Sequence, residues 1–116
     1  MSYQYLIDNV GIGFEDARRV FSLLFETARS EMLKLRAGIR AGDSRMVERA
    51  AHQLSGATST CGLFEIHEKL RLLESQATVE PLDSLRESVE EIGTLLQQAE
   101  ATCDEELARR AGETTP

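Results

Sequence analysis

The sequence predicts an all-α protein: an antiparallel up-down-up-down four-helix bundle with a short N-terminal lead-in helix. Three observations predict it. Apolar residues recur at three- and four-residue steps through most of the 116 residues, which gives each segment one buried stripe. No stretch sustains the in-out alternation of a strand. Gly and Pro are sparse and separate long helical segments by very short connections, which makes consecutive helices antiparallel neighbours.

Each element follows in order. Residues 3–10 form the lead-in helix, with Tyr5, Leu6 and Val10 available to cover one end of the bundle, and Gly11-Ile12-Gly13 breaks it. The first long helix runs from about Phe14 to Arg40. Its stripe is Phe21, Leu24, Phe25, Ala28, Met32, Leu35 and Ile39. Ala41-Gly42 ends it with Gly42 as C-cap, and Asp43 is the N-cap of the second long helix. That helix reaches about Cys61, where Gly62 stops it. The third spans Leu63 to about Ser75 on Leu63, Ile66, Leu70 and Leu73. A loop over 76–80 leads to Pro81, which is tolerated in a first helical turn. The fourth runs from about Pro81 to Arg109 on Leu82, Leu85, Val89, Ile92, Leu96, Ala99 and Cys103, and the tail from Gly112 to Pro116 frays.

Composition narrows the function. The chain is one domain by size, with a core of about 14–109, and its 41% apolar content supports a modest core. A net charge of -7 argues against a nucleic-acid partner. The charge is uneven. Residues 1–61 carry eight Lys/Arg and seven Asp/Glu, whereas residues 62–106 carry three and twelve. The acidic half reads as solvated helix faces. No segment is apolar enough to span a membrane and no signal peptide opens the chain, so a cytoplasmic location is expected. The opening Met1 and the polar tail favour a whole protein. Cys61 and Cys103 lie on apolar stripes as buried reduced thiols, and no His/Cys set has the spacing of a metal site.

One residue stands apart. Projected at about 100° per residue, Val47, Ala50, Leu54, Ala57, Thr58 and Cys61 share one face of the second long helix. His52 falls on the opposite face, among Arg45, Glu48, Arg49, Ser55, Gly56 and Ser59. A histidine meant for burial belongs in the stripe. This one points outward, and Gly56, one turn later, leaves a gap beside the ring. Such an imidazole suits a reaction with a second macromolecule. An imidazole without strong neighbours titrates at about 6.5 and is mostly a neutral nucleophile at cytoplasmic pH. Gly56 as a C-cap is the competing reading, since Thr58 and Thr60 are weak helix formers. The stripe continues through Ala57, Thr58 and Cys61, which favours helix to Cys61. Ser55 and Ser59 near His52 lack an orienting third group or an oxyanion loop, so hydrolase chemistry is not expected. His67, at the edge of the third helix's apolar face, reads as structural.

The block Ala51-His52-Gln53-Leu54-Ser55-Gly56, followed by Gly62, Ile66, Leu70 and Leu73-Glu74, resembles the histidine-containing phosphotransfer (HPt) domains of two-component phosphorelays. Ala41-Gly42-Asp43 stands where that family has a Gly-Asp turn, and the resemblance covers roughly residues 14–107. It implies a monomeric phosphocarrier with His52 as phospho-acceptor. The partners it implies are response-regulator receiver domains or a hybrid histidine kinase. The chain would hold no cofactor of its own, with Mg²⁺ and an acidic pocket in the receiver. The absence of a carboxylate cluster near His52, with Glu48 alone, agrees with that division. No nucleotide-binding motif makes the chain a kinase. Ser55 departs from the family, which has a lysine there, and Arg49 or Arg45 is expected to replace part of its charge. That departure keeps open the other reading, a module of the same fold that docks a partner without carrying phosphate.

Overall fold

The computed structural model describes residues 2–113, with side chains from 3 to 112, and every regular element among them is helical. The helices are α1 (Ser2–Val10), α2 (Phe14–Ala41), α3 (Ser44–Thr60), α4 (Phe64–Gln76) and α5 (Arg86–Glu113), and a 3₁₀ turn at Leu82–Leu85 leads into α5. α2 packs on α3 and α5, and α4 packs on the same two, so the four long helices close a ring. Leu35, Leu54, Leu70 and Ile92, one from each helix, are completely buried in a shared core. Burying each such side chain contributes about 1.5–3 kcal/mol. α2 and α5, with 28 residues each, are about 42 Å long and give the molecule its 56 Å long axis.

Two glycines set the ends of α3's neighbourhood. Gly42 is left-handed at φ 68°. Its N–H bonds the Ile39 carbonyl and the Asp43 N–H bonds the Gly38 carbonyl, the double closure of a helix that stops sharply. Asp43 then accepts the Met46 N–H at 3.1 Å, so the expected cap pair is present and α3 starts with almost no loop. Gly62, at φ 76°, repeats the closure at the other end, with its N–H on Ser59 and the Leu63 N–H on Thr58. A side chain at Gly62 would lie 2.5 Å from the Tyr5 ring.

Several boundaries differ from expectation. α3 ends at Thr60 with Cys61 as its cap, and α4 begins at Phe64, because the Leu63 N–H is used in closing α3. Pro81 is extended (ψ 130°) and precedes the helix rather than joining its first turn. Its carbonyl accepts both the N–H and the hydroxyl of Ser84, which tightens the chain into 3₁₀ before α5. α5 continues past Arg109 to Glu113. The Arg110 guanidinium stacks 4.1 Å over the Phe14 ring and pairs with Glu106, which fastens that last turn to α2. Of the expected frayed tail, Gly112 and Glu113 are helical and residues 114–116 lie outside the described residues.

α1 caps one end of the bundle through Leu6 and Tyr5, as expected, and through Tyr3, which the periodicity missed, while Val10 does not take part. Tyr3 and Leu6 are buried, Tyr5 is half-buried, and Val10, last before the Gly11 turn, is exposed. Tyr3 meets Phe14 and Phe21 edge-on at 5.4 and 5.2 Å, the arrangement aromatic quadrupoles favour. Cys61 and Cys103 are both buried, and burial pushes the Cys61 thiol up to about 12. No helix among the described residues is long and apolar enough to cross a membrane.

Candidate functional site

α3 positions the site. Ala51 and Leu54 are buried on either side of His52, so the backbone that carries the ring is fixed by core packing. The ring itself is exposed: 72% of the side chain is accessible. Arg45 and Arg49 are exposed on the same face, Ser59 and Glu48 are half-buried, and the helix runs on through Gly56. A side chain at Gly56 would meet no atom within 4 Å. Nothing inside the molecule therefore requires glycine there. Glycine costs a helix about 1 kcal/mol relative to alanine, and what it provides is open surface one turn from the ring.

Two expectations need correction. Ser55 is not part of the outward face. It lies about 60° from His52 on the α3 wheel, on the side that α4 covers, and is only 4% exposed. Its hydroxyl donates to the His52 carbonyl at 3.0 Å. Nor is His52 remote from carboxylates. Its Nδ1 is 2.9 Å from Glu74 Oε2, on α4. Glu74 is only 26% exposed. The residue was visible as the last member of the Leu73-Glu74 pair. Its contact was not, because no periodicity within one helix reports which residue of another helix lies opposite.

The Glu74 contact has a chemical consequence. An ionised carboxylate only accepts hydrogen bonds, so it selects the tautomer with the proton on Nδ1. That leaves the Nε2 lone pair free, and no described residue bonds it. A second histidine repeats the logic structurally. His67 Nδ1 lies 2.8 Å from the Ser55 carbonyl, an obligate acceptor, so His67 donates there and ties α4 to α3. Thr58 adds its hydroxyl to the same carbonyl and to that of Leu54. The floor under His52 is thus bonded across two helices. Sequence reading placed His67 as structural, and this is the bond it makes.

The arrangement offers an oriented, accessible imidazole nitrogen beside open surface, and no group of three metal-ligating side chains occurs among the described residues. The profile of the Hpt domain matches residues 19–110, most of the chain. The protein belongs to the Hpt domain family. Membership places this Hpt domain in two-component phosphorelay phosphotransfer, where such domains interact with receiver domains and histidine kinases. No curated protein and no solved structure matches the chain.

Proposed function

We propose that this Hpt domain is a phosphocarrier in which His52 Nε2 accepts a phosphoryl group from a receiver aspartate and returns it. One observation carries the reading: the exposed ring is held by Glu74 through Nδ1, with Nε2 unengaged. In the forward step the Nε2 lone pair attacks phosphorus in line with the aspartyl oxygen. The N–P bond forms, the P–O bond breaks, and the aspartate leaves as carboxylate. The ring then carries positive charge, which the Glu74 carboxylate offsets at the Nδ1–H. Alignment and charge neutralisation supply most of the catalysis in such transfers. The receiver brings Mg²⁺ and its own acidic pocket.

Gly56 leaves room for the receiver to approach. Ser59 keeps the adjoining surface small. We read the helix order as up-down-up-down in a monomer, and the chain as one domain working in the cytoplasm with these partners.

The test is phosphotransfer from a labelled receiver to the wild type and to His52→Gln. Acid-labile, base-stable label on the wild type alone is the expected result. Binding of a receiver with no transfer to the wild type would establish the docking module instead, a reading favoured by one fact: the position of the family lysine holds a buried, uncharged Ser55.

A further inference from the structure

We propose that Arg71, on α4, and Arg49, on α3, form a two-sided guanidinium cradle for the phosphoryl group on His52, so that the charge the family takes from a lysine is supplied here in part from the opposite helix. The proposal rests on His52 being the phospho-acceptor.

The distribution of ion pairs is the first observation. The chain has thirteen Lys/Arg. Eight of them pair with carboxylates: Arg18, Arg19, Arg29, Lys34, Arg36, Lys69, Arg86 and Arg110. Among the described residues Arg40, Arg45, Arg49, Arg71 and Arg109 make no ion pair. In a chain of net charge -7, acidic partners are plentiful, so unpaired arginines are not forced by composition. Three of the five, Arg45, Arg49 and Arg71, lie on the α3–α4 surface that carries His52.

The register between the helices is the second. His52 meets Glu74, and the Ser55 carbonyl meets His67. Residue numbers rise on α3 as they fall on α4, so the pair runs antiparallel. Arg71 lies one turn from His67 and one turn from Glu74 on the same edge of α4. It is therefore level with the stretch of α3 from His52 to Ser55. It is exposed and free to swing over the ring, beside the open surface at Gly56. Arg49, one turn before His52, flanks the ring from α3.

Charge supplies the need. A bound phosphoryl group adds about -1.5 to -2 charges at neutral pH, and it forms next to the Glu74 carboxylate. Ser55 is buried and uncharged, so the residue one turn after His52 cannot offset it. Guanidinium forks match phosphoryl oxygens and stay charged at every relevant pH.

The experiment compares the wild type with Arg71→Gln, Arg49→Gln, Arg71→Lys and the double glutamine variant, all checked for unchanged helicity. Two donors are used: a phosphorylated receiver, and phosphoramidate, a small donor that transfers its phosphoryl group with loss of ammonia and needs no docking surface. Each single glutamine variant should slow labelling from both donors by about tenfold. That is less than the hundredfold or more lost with an enclosed oxyanion donor, because this site is open to water. Arg71→Lys should recover part of the rate, and the double variant should be slower than either single one. Unchanged rates in Arg71→Gln overturn the cradle while leaving His52 as acceptor. Slowing with the receiver alone also overturns it, since Arg71 would then serve docking. No label on the wild type from either donor overturns the phosphocarrier reading and the cradle with it.

Discussion

The seam between α3 and α4 and the seam between α2 and α5 are held by different kinds of contact. Across α3–α4 the bonds are short: part-buried His67 on the Ser55 backbone carbonyl at 2.8 Å, and the exposed His52 ring on half-buried Glu74 at 2.9 Å. Across α2–α5 the polar contacts are solvent-exposed ion pairs, Arg29 with Glu100 and Arg36 with Glu90. They flank an apolar groove lined by Phe25, Met32 and Leu96. Exposed pairs of long side chains contribute little, typically under about 1 kcal/mol. Bonds to a backbone carbonyl in a packed seam fix geometry as well. The difference places the more tightly bonded side of the bundle under the His52 ring, the nucleophile of the proposed transfer, and the loosely stitched side opposite.

The comparison breaks most visibly in the core. Leu70, a completely buried residue of α4, should cost about 2–5 kcal/mol when replaced by alanine. Leu33, exposed beside the α2–α5 groove, should change stability by no more than about 0.5 kcal/mol on the same replacement. Urea titrations of the two variants read both numbers. Equal losses would mean that the two seams do not differ in the way argued.

Next in size is Glu74→Ala. It removes the acceptor at His52 Nδ1 without touching the core, so helicity should hold while phosphotransfer slows by about tenfold, some 1.4 kcal/mol in barrier. Nitrogen NMR of the ring adds a readout that a structural role would not move. The wild type should hold its proton on Nδ1, and the variant should show both tautomers. A single unchanged tautomer would sink the positioning role.

How much of this was readable beforehand divides along the same line. The stripe of α2 from Phe21 to Ile39, the Gly42–Asp43 cap pair and the outward placement of His52 all follow from periodicity within one helix, and all are present. Glu74 beside His52, Ser55 turned under α4, and Tyr3 rather than Val10 as α1's anchor depend on where a second helix lies. A wheel of one helix shows which residues leave its stripe, not which of them a neighbour then covers. Pro81 failed for a local reason: its carbonyl takes two bonds from Ser84 and draws the chain into a 3₁₀ turn before α5 can start.

Ser55→Ala should cost about 1 kcal/mol, the usual loss for one neutral hydrogen bond. The change removes the hydroxyl bond to the His52 carbonyl but leaves the Ser55 carbonyl available to His67. Thermal unfolding would check it. A loss above about 3 kcal/mol would mean that the hydroxyl organises the whole seam.

The smallest effect belongs to the other seam. Arg36 grips Glu90 with two parallel bonds of 3.0 Å, and that grip holds the Glu90 carboxyl below its ordinary 4.5. A carboxylate depressed in the folded state stabilises above its unfolded value, and that stability is lost as pH falls through the folded one. Arg36 stays charged throughout. Glu90→Gln should therefore cost about 0.5 kcal/mol near neutrality, given that the pair is exposed to solvent. The gap between variant and wild type should close as pH drops below 4.5, and shrink in high salt at neutral pH. Unfolding curves at pH 7 and pH 3 make the comparison. A gap that persisted at pH 3 would show that the glutamine disturbs packing against α2, and the α2–α5 seam would then be stiffer than its exposed ion pairs imply.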